Sequence, residues 1–308
     1  MMKHALRTAA TGILIILGAA TLVFFVLRIA PGDQALVLLG PDATAGEVAQ
    51  ARVRLGLDQP LPVQYWHYLT QVATLDFGES YRFGQPAFGL VMSRLPATVE
   101  LTLTATAIAM FGAVLGAVAG AYRGRWIDRG ISGLALTLYS MPPFWIGIML
   151  ILLMALKFRL LPSAGTGTPA HIVLPALTLA ASFTALLTRI TRSSVADTMA
   201  EPYVQRSYAK GLTRRQAVIG HVVRNAATPV VTISALHIGT LLGGAVIVES
   251  IFAWPGLGSL LVSAVSNRDY SIVQAAVLLI AVIVVTLNTV ADLLAAWLDP
   301  RVRLGAKA

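Results

Sequence analysis

Three side chains able to hold or pass a proton lie inside long apolar runs of this sequence: His237, Glu249 and Asp292. Ionisable groups at that depth are costly in lipid, so each is a candidate for handling an ion or a substrate. Each also has a plainer reading. His237 has no cysteine or carboxylate at ligand spacing, so a hydrogen bond to a neighbouring helix accounts for it as readily as a metal. Asp292 lies close enough to Arg301 and Arg303 for a local ion pair. Glu249 stands toward the end of its run, before the turn-forming Ala253-Trp254-Pro255-Gly256. Trp145 adds an aromatic ring beside Pro142-Pro143, and Trp145, His237 and Glu249 together form the candidate substrate path.

Catalytic machinery is not visible in the sequence. It has no G-x-x-x-x-G-K-[ST] phosphate loop, no H-E-x-x-H, no G-x-S-x-G and no paired carboxylates at the centre of an apolar run. Cysteine is absent, which excludes disulfides, thiol catalysis and thiolate metal sites. No catalytic residue and no metal site is assigned, and a membrane enzyme is the poorest reading. If the protein moves something uphill, the energy enters from a partner or from an ion gradient. The second possibility makes His237, Glu249 and Asp292 the proton or cation sites of a secondary carrier, although no internal sequence repeat of that class is seen.

A different kind of chemistry is written in the basic segment Glu201 to Pro229, EPYVQRSYAKGLTRRQAVIGHVVRNAATP. Pro202 suits a first helical turn and Gly211 the left-handed residue after a last one. Thr213 followed by Gln216 gives a capping box for a second helix. On that helix Leu212, Ile219, Val222, Val223 and Ala226 recur on one face, while Arg214, His221 and Asn225 line another. Such a segment can lie flat against another protein. It can equally be a charged loop whose basic residues only set topology.

The elements that must position these residues are membrane spans. With 56% hydrophobic and 12% charged residues in 308, the chain is far from the roughly 25% charge of a soluble domain. The net charge of +9 falls in short loops beside apolar segments and not in a stripe interleaved with aromatics, so it reads as topology and not as nucleic-acid binding. Runs of about 20 apolar residues predict six spans, at residues 9–30, 97–121, 131–156, 172–192, 229–252 and 271–297. The first is too long for a signal-peptide core and no clear cleavage site follows it, so it is expected to be retained. Lys3, Arg7, Arg123, Arg125, Arg129, the basic residues between Arg189 and Arg224, and Arg301, Arg303 and Lys307 all fall on one side in this arrangement. The positive-inside rule then places both termini in the cytoplasm.

Within this frame, residues 31–96 face outward as a cap packed on the spans, with a helix expected around Glu47 to Leu55 and interfacial anchoring by Tyr65, Trp66 and Tyr68. Gly112, Gly116 and Gly120 form a strip along one helix face where another helix can approach closely. Pro142 and Pro143 predict a kink in the third span.

From Tyr203 to Pro229 the sequence resembles the inner-membrane permease subunits of ATP-binding-cassette importers, in the dipeptide, oligopeptide and nickel branch, and the likeness extends over nearly the whole chain. Tyr203, Val204, Ala209, Lys210, Gly211 and Leu212, then His221, Asn225 and Pro229, match the family's cytoplasmic coupling loop. Pro31-Gly32-Asp33, Leu55-Gly56-Leu57-Asp58-Gln59-Pro60, Asp76-Phe77-Gly78, Leu95-Pro96-Ala97-Thr98, Glu249 with Phe252-Ala253-Trp254-Pro255-Gly256, and Asp299-Pro300-Arg301 follow the branch in order. The resemblance implies an all-α, polytopic fold of the type I importer permease kind, with residues 1–308 as one transmembrane domain, 31–96 outside and 193–228 as the coupling loop. It implies a homologous second permease, two cytoplasmic ATPase subunits that bind ATP and Mg, and an extracytoplasmic substrate-binding protein, in the inner membrane. This chain itself then carries no cofactor and hydrolyses nothing. Two departures stand out: Gln205, Arg206 and Ser207 occupy the place of Glu-Ala-Ala in the broader importer pattern, and Gln34 replaces a proline. The resemblance implies small peptides as substrate; the stretches from His237 to Trp254 and Asn267-Arg268-Asp269-Tyr270 are similar to nickel-uptake permeases and leave nickel or a metal chelate as the alternative.

Overall fold

The computed structural model describes residues 2–29, 34–40, 42–213, 216 and 218–298, with some side chains inside these ranges left undescribed. Pro31-Gly32-Asp33, Arg214 and Asp299-Pro300-Arg301 lie outside the described residues, as do the side chains of His221, Ile219 and Asp292. Helix α1 (Met2–Ile29) is followed by α2 (Gln34–Leu39), α3 (Ala45–Arg54) and α4 (Leu61–Thr74), then by a hairpin of two short strands, β1 (Glu79–Ser80) and β2 (Gln85–Pro86). Next come α5 (Ala87–Ala121), α6 (Trp126–Ser140), α7 (Pro143–Leu150), α8 (Val173–Ala200) and α9 (Pro202–Ala209). The described chain ends with α10 (Val223–Ile251), α11 (Leu257–Ser266) and α12 (Tyr270–Leu298).

Four of these stretches are long and apolar enough to cross a membrane: residues 10–29, 87–121, 169–200 and 270–291. Two bent pairs raise the number to six if each is one span, in line with the six runs of the sequence. One pair is α6 with α7 and its π-helical continuation Ile151–Lys157, bent by 104°. This is a full break, stronger than the expected kink. A residue before proline is driven to extended backbone, and Met141 and Pro142 are two such residues in succession, with ψ of 132° and 136°. The other pair lies within α10, whose parts Asn225–Ser234 and Gly239–Ile251 differ in direction by 53°.

The chain divides into two compact units, Met1–Ala97 with Pro255–Thr286, and Thr98–Trp254 with Leu287–Ala308. In the first, Phe24 of α1 meets the rings of Tyr65 and Tyr68 of α4 at 5.2 and 5.5 Å. Thr21 shares a hydrogen bond with Tyr65, and Arg28 donates to Gln64. α4 thus packs on α1 through these residues. The aromatics differ from their expected interfacial role: Tyr68 is buried and Tyr65 half-buried, and only Trp66 is well exposed, at 67%. α3 carries the expected early helix, started by a Thr44–Glu47 capping box.

The hairpin, which no sequence pattern announced, is pinned to the turn between α11 and α12. Ser80 Oγ donates to Asp269 Oδ2 at 2.5 Å, and the Tyr81 hydroxyl donates to the Asn267 carbonyl. Asp269 in turn accepts from the Ile272 amide and so caps α12.

In the second unit α8 is the central helix. Gly112, Gly116 and Gly120 of α5 lie against its backbone: a Cβ at these positions would come within 2.3, 2.4 and 2.7 Å of the carbonyl oxygens of Thr184, Thr188 and Arg192. The glycine strip therefore allows a main-chain approach that no other residue permits. On another side α6 joins α8 through Asp128 and Arg192, and the Arg189 guanidinium lies 5.3 Å from the Tyr139 ring centre.

Candidate functional site

The segment from Glu201 is built as a short helix resting on the end of α8. Glu201 alone separates the two helices, and its amide donates to Thr198 while its carbonyl accepts from Val204, so hydrogen bonding runs nearly unbroken across the junction. Pro202 opens α9, where its missing amide costs nothing. Gly211 follows the helix with φ +88°, the left-handed conformation that favours glycine, and the Leu212 amide returns to the Ser207 carbonyl. Thr213 and Gln216 form the expected reciprocal cap: the Thr213 amide donates to Gln216 Oε1 at 2.9 Å, and the Gln216 amide to Thr213 Oγ1 at 3.4 Å.

One face of α9 is held by packing. Val204, fully buried, meets Val195 of α8 and Val222 and Ala226 at the entry to α10, with Ala117 and Met199 around them. Ser207 is also buried, its hydroxyl donating to the Val204 carbonyl. Tyr203 accepts a hydrogen bond from Asn225 Nδ2 at 2.6 Å, and Gln205 Nε2 donates to the Met199 carbonyl. The opposite face is open: Gln205, Arg206, Ala209, Lys210 and Gly211 are all exposed, and Leu212 is half-buried.

The second helix differs from the sequence expectation. Val218–Val222 is a π-helical turn that runs straight into α10, and the register change leaves Val223 41% exposed while Val222 and Ala226 are buried. Pro229 lies inside α10 on an exposed face. The matched loop residues Tyr203, Val204 and Asn225 are thus brought together, Ala209, Lys210 and Gly211 form one exposed turn, and Pro229 stands apart from both.

The candidate path residues are more dispersed. Trp145 is on α7 and exposed, its amide donating to Pro142. His237, half-buried in α10, lies against the buried Phe183 of α8 at 4.7 Å between ring centres, which fits a packing role. Glu249 is fully buried and accepts a hydrogen bond from Thr98 Oγ1 at 2.6 Å. Just after it α10 ends with Ala253 at φ +47°, and the Trp254 amide returns to the Glu249 carbonyl at 2.8 Å. Among the described residues, no three His, Asp or Glu side chains gather as a metal would need.

Neither Asp128 nor Arg192 stands out by residue type and spacing, yet they form a densely hydrogen-bonded cluster. Asp128 is 2% exposed and receives both Nε and Nη2 of Arg192, the second at 2.8 Å, together with the Gly124 amide and the Ser132 hydroxyl. The one sequence signal is a lone carboxylate in an arginine-rich turn.

Comparison with known proteins gives the same reading from the whole chain. The family model described as binding-protein-dependent transport system inner membrane component matches residues 112–304, and the corresponding N-terminal model matches residues 1–102. The glutathione transport system permease protein GsiC of Salmonella typhimurium is 41% identical over 98% of this chain and 99% of its own length. Its counterpart from Escherichia coli is 39% identical over 92% and 93%. Among solved structures, an amino acid ABC transporter crystallised with histidines covers 67% of this chain and 92% of its own at a TM-score of 0.54 and 18% identity, which shows a shared fold. The inward-facing methionine transporter MetNI gives a TM-score of 0.54 at 17% identity over 68% of this chain and 96% of its own. The chain belongs to the inner-membrane permease components of binding-protein-dependent ABC importers.

Proposed function

We propose that this permease passes a short peptide of the glutathione kind into the cell by alternating access, driven by partner ATPases through α9. The observation that carries the substrate class is the identity of 41%, sustained over nearly the full length, with a glutathione permease. The observation that supports the drive is the two-faced α9, seated by Val204 and Ser207 and open at Arg206, Ala209 and Lys210. A short helix fixed on one face and free on the other can carry displacement as a nearly rigid body.

In this reading the working assembly contains a second, homologous permease, two ATPase subunits that bind ATP and Mg, and an extracytoplasmic binding protein. Both termini and the coupling loop of residues 193–228 lie in the cytoplasm, by the distribution of basic residues. Residues 31–96 lie outside, the whole chain acts as one permease domain, and Trp145, His237 and Glu249 border the path in some stage of the cycle.

The test is uptake of labelled glutathione into vesicles holding the assembly encoded with this chain. ATP-dependent uptake that is competed by short peptides and not by nickel is the expected result. Uptake of nickel without peptide competition overturns the substrate, and uptake on a proton gradient without ATP overturns the energy source. Gly211→Pro, which cannot adopt φ +88°, should leave the protein in the membrane and abolish ATP-driven uptake.

A further inference from the structure

Arg192 is a point of convergence. Its carbonyl is approached by α5 at Gly120, its guanidinium is held by Asp128 of α6, and three residues later Val195 packs on Val204 of α9. Because only Glu201 separates α8 from α9, a displacement of α9 passes directly into the end of α8. Arg192 precedes the end of α8 by eight residues, about 12 Å of helix.

What α8 does with that displacement depends on how it is held. The glycine contacts of α5 set its main chain against carbonyl oxygens of α8, with the Thr191 and Val195 side chains alongside, and include no directional bond that fixes axial position. The Val195, Val204, Val222 and Ala226 cluster is non-directional. The Asp128 carboxylate, in contrast, is fixed before Arg192 reaches it: the Gly124 amide donates to one oxygen at 2.8 Å and the Ser132 hydroxyl to the other at 3.1 Å. Gly124, at φ +83°, makes the turn that aims its amide there. A planar guanidinium docking on both oxygens of an immobilised carboxylate fixes both axial position and rotation. With its carboxylate buried and the Arg192 side chain 32% exposed, this ion pair is weak evidence for stability, and the better-attested use of such a pair is to set register.

We propose that Asp128 and Arg192 are positioning residues for transport: they lock α8 to the turn between α5 and α6, so that movement of α9 turns the helices as one body and is not lost as slip. This rests on the proposed ATPase drive through α9.

The experiment compares ATP hydrolysis and substrate uptake in the same reconstituted assembly, with co-purification of the partners as the check on folding. In Asp128→Asn, assembly and basal ATP hydrolysis should persist while uptake per ATP falls on the order of tenfold. Arg192→Lys, which keeps the charge but not the two-pronged geometry, should give an intermediate loss and serves as the probe if Asp128→Asn fails to assemble. The double variant Asp128→Asn with Arg192→Gln should be no worse than the poorer single one, as expected of residues acting as a unit. Unchanged uptake per ATP in an assembled single variant overturns the lock, as does an additive loss in the double variant. Failure of the wild-type assembly to couple uptake to ATP instead overturns the underlying reading, before any variant is made.

Discussion

Thr98 donates its hydroxyl hydrogen to Glu249 at 2.6 Å, across 151 positions of sequence and in a place shielded from solvent. The two belong to separate sequence motifs, Leu95-Pro96-Ala97-Thr98 and the run from Glu249 to Gly256, and the fold makes them one site. A buried carboxylate needs every donor it has. Thr98→Val keeps the shape and removes one, which should cost about 1–3 kcal/mol, while Thr98→Ser should cost less. Thermal unfolding of the purified protein in detergent checks the difference, and equal melting temperatures for the two variants would refute it.

The glycine strip makes a paired prediction. Gly116→Ala places a methyl 2.4 Å from the Thr188 carbonyl oxygen, which forces α5 away from α8. Gly133→Ala, in a helix position with nothing within 4 Å, should be neutral or slightly stabilising. Overpacking costs about 1–3 kcal/mol, so the first variant should melt clearly below the second.

The seat of α9 can be loosened without touching its open face. Val204→Ala leaves a void among Val195, Val222 and Ala226 and should weaken the local packing by about 2 kcal/mol. Limited proteolysis should then cut between residues 201 and 213 faster than in the wild type, with cleavage elsewhere unchanged.

Burial pushes the Tyr68 hydroxyl up from 10.0 to about 12, and among the described residues it has no hydrogen-bond partner. The unfolded chain ionises first, so stability is intact below pH 10 and declines as pH rises toward about 12. Tyr68→Phe should remove this part of the alkaline decline and be neutral or stabilising at neutral pH. Melting curves at neutral and alkaline pH compare the two proteins, and a marked loss of stability at neutral pH in the variant would show that the hydroxyl is needed.

Apolar run length was enough to place the helices, because lipid imposes a fixed thickness and a helical backbone. Local signals were equally legible: Pro202, Gly211 and the Thr213–Gln216 cap act within a turn of themselves and appear as expected. What could not be read were relations between distant segments. Tyr65 and Tyr68 look like interfacial aromatics until Phe24 is placed beside them. Ser80 and Asp269 have no local reason to meet, and Asp128 is one acid among arginines until α8 supplies its partner. The exposure of Val223 arose from a π-helical turn, which shifts a face by one residue and leaves no mark in hydrophobic spacing.

Where α5 crosses α8, its three glycines face the carbonyl oxygens of Thr184, Thr188 and Arg192, and Gly116 and Gly120 also face the β-carbons of Thr191 and Val195. The close fit therefore depends on three absent side chains on α5 and on two β-branched ones on α8. During divergence α8 can change Thr184 and Thr188 without altering the carbonyls that α5 meets, but is held at Thr191 and Val195, while α5 can change almost none of its three glycines. Sequence drift in this pair should thus be lopsided, and the central helix can change away from Thr191, Val195 and the Asp128 partner Arg192 without losing the joint that carries it.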